Sequence, residues 1–178
     1  MTKATADLLI SFYRDGARDY SGRTHAEIVA WDDERLEGVH DFIQWLFPLP
    51  ERSSVNPWAP VIEAAVVAAF NESPEMRERL LAAFDRMLRF YGLKRDTRGD
   101  TARIVRGRNF AERADKWLWP NNHNHLRITR ILRSVRLLGL RAESAALFRA
   151  LDRINREFPG RITESTGEFW QDAASRNN

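Results

Sequence analysis

Residues 31–50 read WDDERLEGVHDFIQWLFPLP, and the fold turns on how this stretch is read. Asp32 or Asp33 supplies a helix cap, acids fill the first turn, and Pro48 and Pro50 close the segment, so the spacing predicts a helix from Asp33 to Phe47. On a wheel of about 100° per residue, Leu36, Val39, Phe42, Ile43, Trp45, Leu46 and Phe47 form a wide apolar arc. Asp33, Glu37, His40, Asp41 and Gln44 gather into one polar stripe beside it. A helix apolar over most of its circumference belongs near the centre of a helical core.

Outward from this segment the periodicity stays helical. Thr24 followed by Glu27 is a capping-box signature for a short helix through Ala30. Pro57 and Pro60 lead into Val61–Phe70, whose lack of a polar face predicts burial on most sides. Ser73-Pro74-Glu75 starts a helix carrying Met76, Leu80, Phe84, Leu88 and Tyr91 at three- and four-residue steps, and Gly92 stops it. Leu93–Gly107 reads as a long loop with room for a small β-hairpin: Gly99 and Asp100 are turn residues, and Ile104-Val105 is its apolar pair. Asn109 with Glu112 restarts helix as far as Trp119-Pro120. Further helices are predicted over about Leu126–Leu138 and Ala142–Phe158, and after Thr163. The expected fold is all-α: a single-domain bundle of about seven or eight helices over residues 8–175, with a small hairpin near residues 93–107 and flexible tails at 1–7 and 176–178.

Composition narrows the function. The chain has 178 residues, 43% of them hydrophobic and 30% charged, enough for a packed core and too apolar for disorder. It has no cysteine, which excludes thiol catalysis, zinc–thiolate sites and disulfides, and fits a cytoplasmic location. MTKATADLL lacks the order of a signal peptide. The longest nearly uncharged run, Trp58 to Phe70, is 13 residues. A membrane-spanning helix needs about 20, so no transmembrane segment is expected. Residues 1–85 hold 8 basic and 15 acidic side chains, whereas residues 86–142 hold 15 basic and 4 acidic ones. Opposite signs in one chain either neutralise each other or present two contrasting surfaces.

Few residues point to chemistry. There is no Gly-x-Ser-x-Gly elbow and no phosphate-cradling loop, so no catalytic residue and no cofactor is assigned. Glu37 and His40 have the Glu-x-x-His spacing that places two metal ligands on one helical face, but no second copy exists. A mononuclear site would need Asp41 with His123 or His125 as well. The polar stripe reads either as a solvated or ion-paired edge or as one wall of a ligand site. In Leu126–Leu138, Ile128, Ile131, Leu132, Val135 and Leu138 face one way, and Arg127, Arg130, Arg133 and Arg136 the other. This basic amphipathic helix suits nucleic acid, an anionic surface or an acidic partner, or else Arg127 and Arg130 reach the Asp33/Glu37/Asp41 stripe while Arg133 and Arg136 are solvated.

Two blocks carry a family resemblance. Residues 31–50, above all His40-Asp-Phe-Ile-Gln-Trp-Leu-Phe-Pro48, resemble the opening signature of the opioid growth factor receptor conserved region. Asn124-His-Leu-Arg-Ile-Thr-Arg-Ile-Leu132, followed by Leu138-Gly-Leu140, resembles its closing block. Leu88–Gly92 and Asn109–Arg113 lie between them in order, so the likeness spans about residues 8 to 155. Trp31, Trp45, Phe47, Pro48 and Asn124 are its motif positions, and the chain resembles a stand-alone, bacterial-type member. The resemblance implies a receptor-like binding module and not an enzyme, since the animal receptor takes an enkephalin-type peptide. It also implies peripheral membrane association as a property of the family. The expected ligand site combines Asp33, Glu37, His40, Asp41 and Gln44 with Arg127 and Arg130, acids for a peptide amine and arginines for a carboxylate. Nucleic-acid binding through residues 126–138 and metal binding through Glu37 and His40 are the alternatives. Oligomeric state is not legible.

Overall fold

The computed structural model describes residues 3–53, 56–96, 98 and 101–175. Its contacts fall into two compact units, residues 1–83 and 84–178.

The first unit holds α1 (Lys3–Arg14), α2 (His25–Val29), α3 (Asp33–Gly38), α4 (Phe42–Leu46) and α5 (Ala64–Glu72), and the start of α6 (Pro74–Phe90). α1 begins at Lys3, within the segment 1–7 expected as a tail, and buries Thr5 and Ala6, while residues 1–2 and 176–178 lie outside the described residues. The predicted 33–47 helix is two short ones. Gly38 is a poor helix former, and Val39 takes an extended conformation at φ −100° and ψ 132° that ends α3. The Asp32 carboxylate caps α3 by accepting from Arg35 N at 2.8 Å, and the Thr24/Glu27 capping box forms at α2.

Apolar side chains of α1, α4 and α5 meet in the core of this unit. Phe12 and Tyr13 pack on His25, Trp45 and Phe70 with ring centroids 4.9 to 5.8 Å apart. The Tyr13 hydroxyl donates to the Leu46 carbonyl. Trp31 and Phe47, with Pro48, are also buried. A single parallel bridge, Leu49 to Val61, holds Val61 out of the predicted Val61–Phe70 helix, which begins only at Ala64. That helix buries just Val66 and Phe70 and leaves Ala64, Ala65 and Ala68 exposed, contrary to expectation. Alanine has the best helix propensity and little apolar surface, so its presence on every side does not require burial.

The second unit starts with the end of α6 and continues through β1 (Leu93–Asp96), β2 (Arg103–Arg106), α7 (Phe110–Trp117), α8 (Asn124–Leu137), α9 (Arg141–Glu157) and α10 (Glu164–Ser175). Ten helices are thus present among the described residues, more than the expected seven or eight, because α1 is added and α3 and α4 are separate. The expected hairpin is there: β1 and β2 pair antiparallel in the register Leu93↔Arg106 to Asp96↔Arg103. Gly99 and Asp100, its expected turn residues, lie outside the described residues.

Gly92, at φ +76°, ends α6, and a Cβ there would lie 2.6 Å from Phe110 Cα. Only glycine accommodates both the left-handed backbone and the close approach. α7 is tied to the end of α6 by Arg113 Nε donating to Phe90 O at 2.6 Å and Trp117 Nε1 donating to Tyr91 O at 3.1 Å. α8 packs against both α9 and α10. It ends in a Schellman motif, Leu140 N donating to Val135 O at 2.8 Å across Gly139.

Candidate functional site

The site is built from residues 19–23 upward. Asp19 is fully buried at its carboxylate, which a folded turn satisfies: Oδ1 accepts from Ser21 N and Arg23 N, both at 2.9 Å, and Oδ2 from Arg23 Nε at 2.7 Å. Arg23 then reaches across to the residue preceding α4. Its Nη1 donates to Asp41 Oδ1 at 2.8 Å and its Nη2 to Oδ2 at 3.0 Å, a bidentate pair. Ser21 Oγ donates to Asp41 Oδ2 at 3.0 Å. Asp41 therefore faces Arg23 and makes no side-chain cap for α4. Partial burial works against its ionisation, but the hydrogen bonds from Arg23 and Ser21 outweigh that and hold its carboxyl below the usual range. The other side of the Arg23 guanidinium lies 5.5 Å from the centre of Trp31, over which Arg35 also stacks at 4.2 Å.

Beside this network opens a cavity of about 520 Å³ lined by Tyr20, Ser21, His40, Asp41, Gln44, Trp45, Asn56 and Trp58. Gln44 is buried and fixes one wall: its Nε2 donates to Ser53 Oγ at 3.0 Å, and its Oε1 accepts from Asn56 Nδ2 at 2.6 Å. Asn56 Oδ1 in turn accepts from Trp58 N at 3.2 Å. Tyr20 stands edge-on to Trp45 with centroids 5.3 Å apart. Tyr20 is 56% exposed and Trp58 74%, unusual exposures for residues that carry this much apolar surface. The cavity has the volume of a small-ligand site and combines aromatic faces, a carboxylate, an imidazole and amides that are already oriented.

Of the seven expected site residues, His40, Asp41 and Gln44 line this cavity. Asp33 and Glu37 sit half-buried on α3 and are not part of its lining. Because Val39 is extended, Glu37 and His40 do not stand one helical turn apart, so the two-ligand helical face behind the metal alternative is lost. Among the described residues, no group of three or more His, Asp or Glu side chains is placed to hold a metal ion.

Arg127 and Arg130 belong to α8 in the second unit, where the expected division into an apolar side and a solvated arginine side does not hold. Arg127 and Arg136 are buried, and Arg130 and Arg133 are half-buried. Arg127 Nη1 donates to Oδ1 of the fully buried Asn124 at 3.3 Å, and Arg136 Nε to Ala173 O at 2.9 Å. Burial, with Arg133 and Arg141 nearby, lowers the Arg136 pKa from its ordinary value. A helix flanked by two others has little circumference left for solvent, and arginine stems fill the remainder.

Sequence reasoning missed Tyr20, Ser21, Arg23, Asn56 and Trp58. The available signals were an Asp-Tyr-Ser-Gly-Arg turn and a tryptophan set between Pro57 and Pro60, where no core-forming period demands an aromatic residue.

Comparison with known proteins completes the picture. The sequence pattern of the opioid growth factor receptor (OGFr) conserved region matches residues 10–170. The chain is 39% identical to the opioid growth factor receptor of Homo sapiens over 158 residues, covering 85% of this chain and 23% of that protein. It is 46% identical to the Rattus norvegicus receptor over 121 residues, 67% of this chain and 20% of that one. With opioid growth factor receptor-like protein 1 of Rattus norvegicus it shares 42% over 109 residues, 61% of this chain and 22% of that one. The chain thus spans about a quarter or less of the length of these curated relatives. No solved structure matches it. The pattern match covers nearly the whole chain and takes in both sequence blocks and the cavity, and so the protein belongs to the opioid growth factor receptor conserved-region family.

Proposed function

We propose that this protein is a receptor-like binding module for a short peptide with a free amino terminus and an aromatic or apolar side chain, and that it has no catalytic role. The supporting observation is the cavity formed by Tyr20, His40, Asp41, Gln44, Trp45, Asn56 and Trp58. Asp41, ionised and held in place by Arg23, offers its remaining lone pairs to an ammonium group. Tyr20 and Trp58 cover an apolar side chain, and aromatic side chains with few rotatable bonds do so at small entropic cost. Relatives named as opioid growth factor receptors agree with a peptide ligand. Arg127 and Arg130 have no part in this narrower proposal.

The reading is tested by calorimetric titration with an enkephalin-type pentapeptide and its N-acetylated form. The free peptide should bind one-to-one and the acetylated form at least about tenfold more weakly, since one charge-assisted hydrogen bond is lost. Trp58→Ala should weaken both, and it leaves the fold intact because the ring is exposed. Equal affinity for the two peptides, or no effect of Trp58→Ala, contradicts the proposal.

A further inference from the structure

The arginines that the sequence places on a helical stripe are largely turned inward on α8, yet the excess positive charge of residues 86–142 has to emerge somewhere. Part of it emerges on the hairpin, where Arg149 and Arg153 of α9 add to it. Leu93 and Ile104 are buried, whereas Lys94, Arg103, Arg106 and Arg108 are exposed. α9 packs against β2, and two of its arginines one turn apart reach the strand's main chain: Arg149 Nη2 donates to Ala102 O at 3.3 Å and Arg153 Nη2 to Ile104 O at 3.0 Å. Those bonds gather the Arg149 and Arg153 guanidinium groups along β2, beside Arg103.

Most acids of this surface are already engaged, and Glu143 of α9 adds its charge beside Arg95. Asp85 pairs with Arg95, Asp96 with Arg98, Glu157 with Arg106 and Asp152 with Arg156. Among the described residues, Lys94, Arg108, Arg149 and Arg153 have no carboxylate partner, and Arg103 shares Asp96 with Arg98. Four to five positive charges are therefore left over on the hairpin, the residues just after it and α9, most of them guanidinium groups suited to phosphate oxygens.

We propose that the β1–β2 hairpin and α9 form a binding surface for double-stranded nucleic acid, which is held through its phosphates. Among the described residues the exposed Trp119 lines a pocket with Arg106, which is already paired with Glu157, whereas Lys94, Arg103, Arg108, Arg149 and Arg153 stack on no aromatic ring that could share an unpaired base, which favours a duplex over a single strand. Among the described residues, no large exposed apolar side chain belongs to β1, β2 or α9, where a membrane-binding face would carry several to enter the lipid layer, which favours nucleic acid over a membrane. The surface lies within the second unit and is independent of the cavity in the first.

Fluorescence anisotropy with a labelled 20-base-pair DNA of arbitrary sequence is the test. Affinity should fall with salt, with a slope of log K against log[salt] of about −4 for four to five phosphate contacts. Arg103→Gln with Arg108→Gln, exposed side chains that make no main-chain bond, should weaken binding severalfold at least and flatten the slope by about 2. Arg14→Gln, which removes one charge from α1, should leave binding unaltered. Vesicles of phosphatidylcholine with a quarter phosphatidylserine should bind more weakly than the duplex at equal phosphate. Absent or salt-independent duplex binding, equal loss in Arg14→Gln, or preference for the vesicles overturns the proposal.

Discussion

His25 packs against the rings of Phe12 and Tyr13, and its Nε2 is buried with no hydrogen-bond partner among the described residues. Burial, reinforced by the Arg79 charge and only partly opposed by a hydrogen bond to the Arg79 backbone, pushes its pKa down to about 4. Burial lowers His125 as well. A histidine whose folded pKa is depressed binds its proton first in the unfolded chain, so its contribution is complete above about pH 6.5 and is lost as the pH falls toward 4. The loss from His25 should reach about 2 to 3 kcal/mol, read from urea midpoints at pH 7 and pH 4.5. His25→Leu should remove much of that difference; an unchanged difference would place its origin elsewhere. Asp41, whose pKa is lowered too, follows the same sign in a lower window: it keeps its contribution until the pH falls below the ordinary aspartate range. Gly92→Ala meets both a positive φ and the Phe110 backbone and should cost about 2 to 4 kcal/mol in the same urea assay.

Among elements, the Asp19–Arg23 turn is the one on which the cavity depends. It converts a fully buried carboxylate into an anchor for Arg23, and Arg23 sets the direction of Asp41. Arg23→Gln leaves Asp19 without its ionic partner and should destabilise the fold by about 3 kcal/mol, measured by chemical denaturation, while Arg18→Gln, at an exposed pair, should change it by less than about 1 kcal/mol. Helix boundaries set by caps and stops were readable: Thr24 and Glu27, Ser73-Pro74, Gly92 and Gly139 all act where their chemistry says they should. The break at Gly38-Val39 was not readable, because an uninterrupted apolar period ran across it and the bond that redirects Asp41 comes from Arg23, 18 residues away. The cavity was half legible for the same reason. His40, Asp41 and Gln44 lie inside a recognisable motif, whereas Tyr20 and Trp58 come from connecting segments whose proximity depends on tertiary packing. The inward turn of the α8 arginines was likewise hidden, since periodicity counts faces and cannot tell how many of them a neighbouring helix covers.

At the scale of the whole molecule, acidic and basic residues are segregated along the chain, and each group has a distinct surface. The acidic part carries the aromatic-edged cavity proposed for a peptide amine, and the hairpin of the basic part, with α9 after it, carries the surface proposed for phosphates. No helix among the described residues is long and apolar enough to cross a membrane. The family match runs across both compact units, so both belong to the conserved region. The most direct test of the binding account is a two-dimensional amide and indole NMR titration with the enkephalin-type pentapeptide. The account predicts saturable shifts at the Tyr20 and His40 amides, the Gln44 side-chain amide and the Trp58 indole. Shifts confined to residues outside the cavity, or none at millimolar peptide, would contradict it.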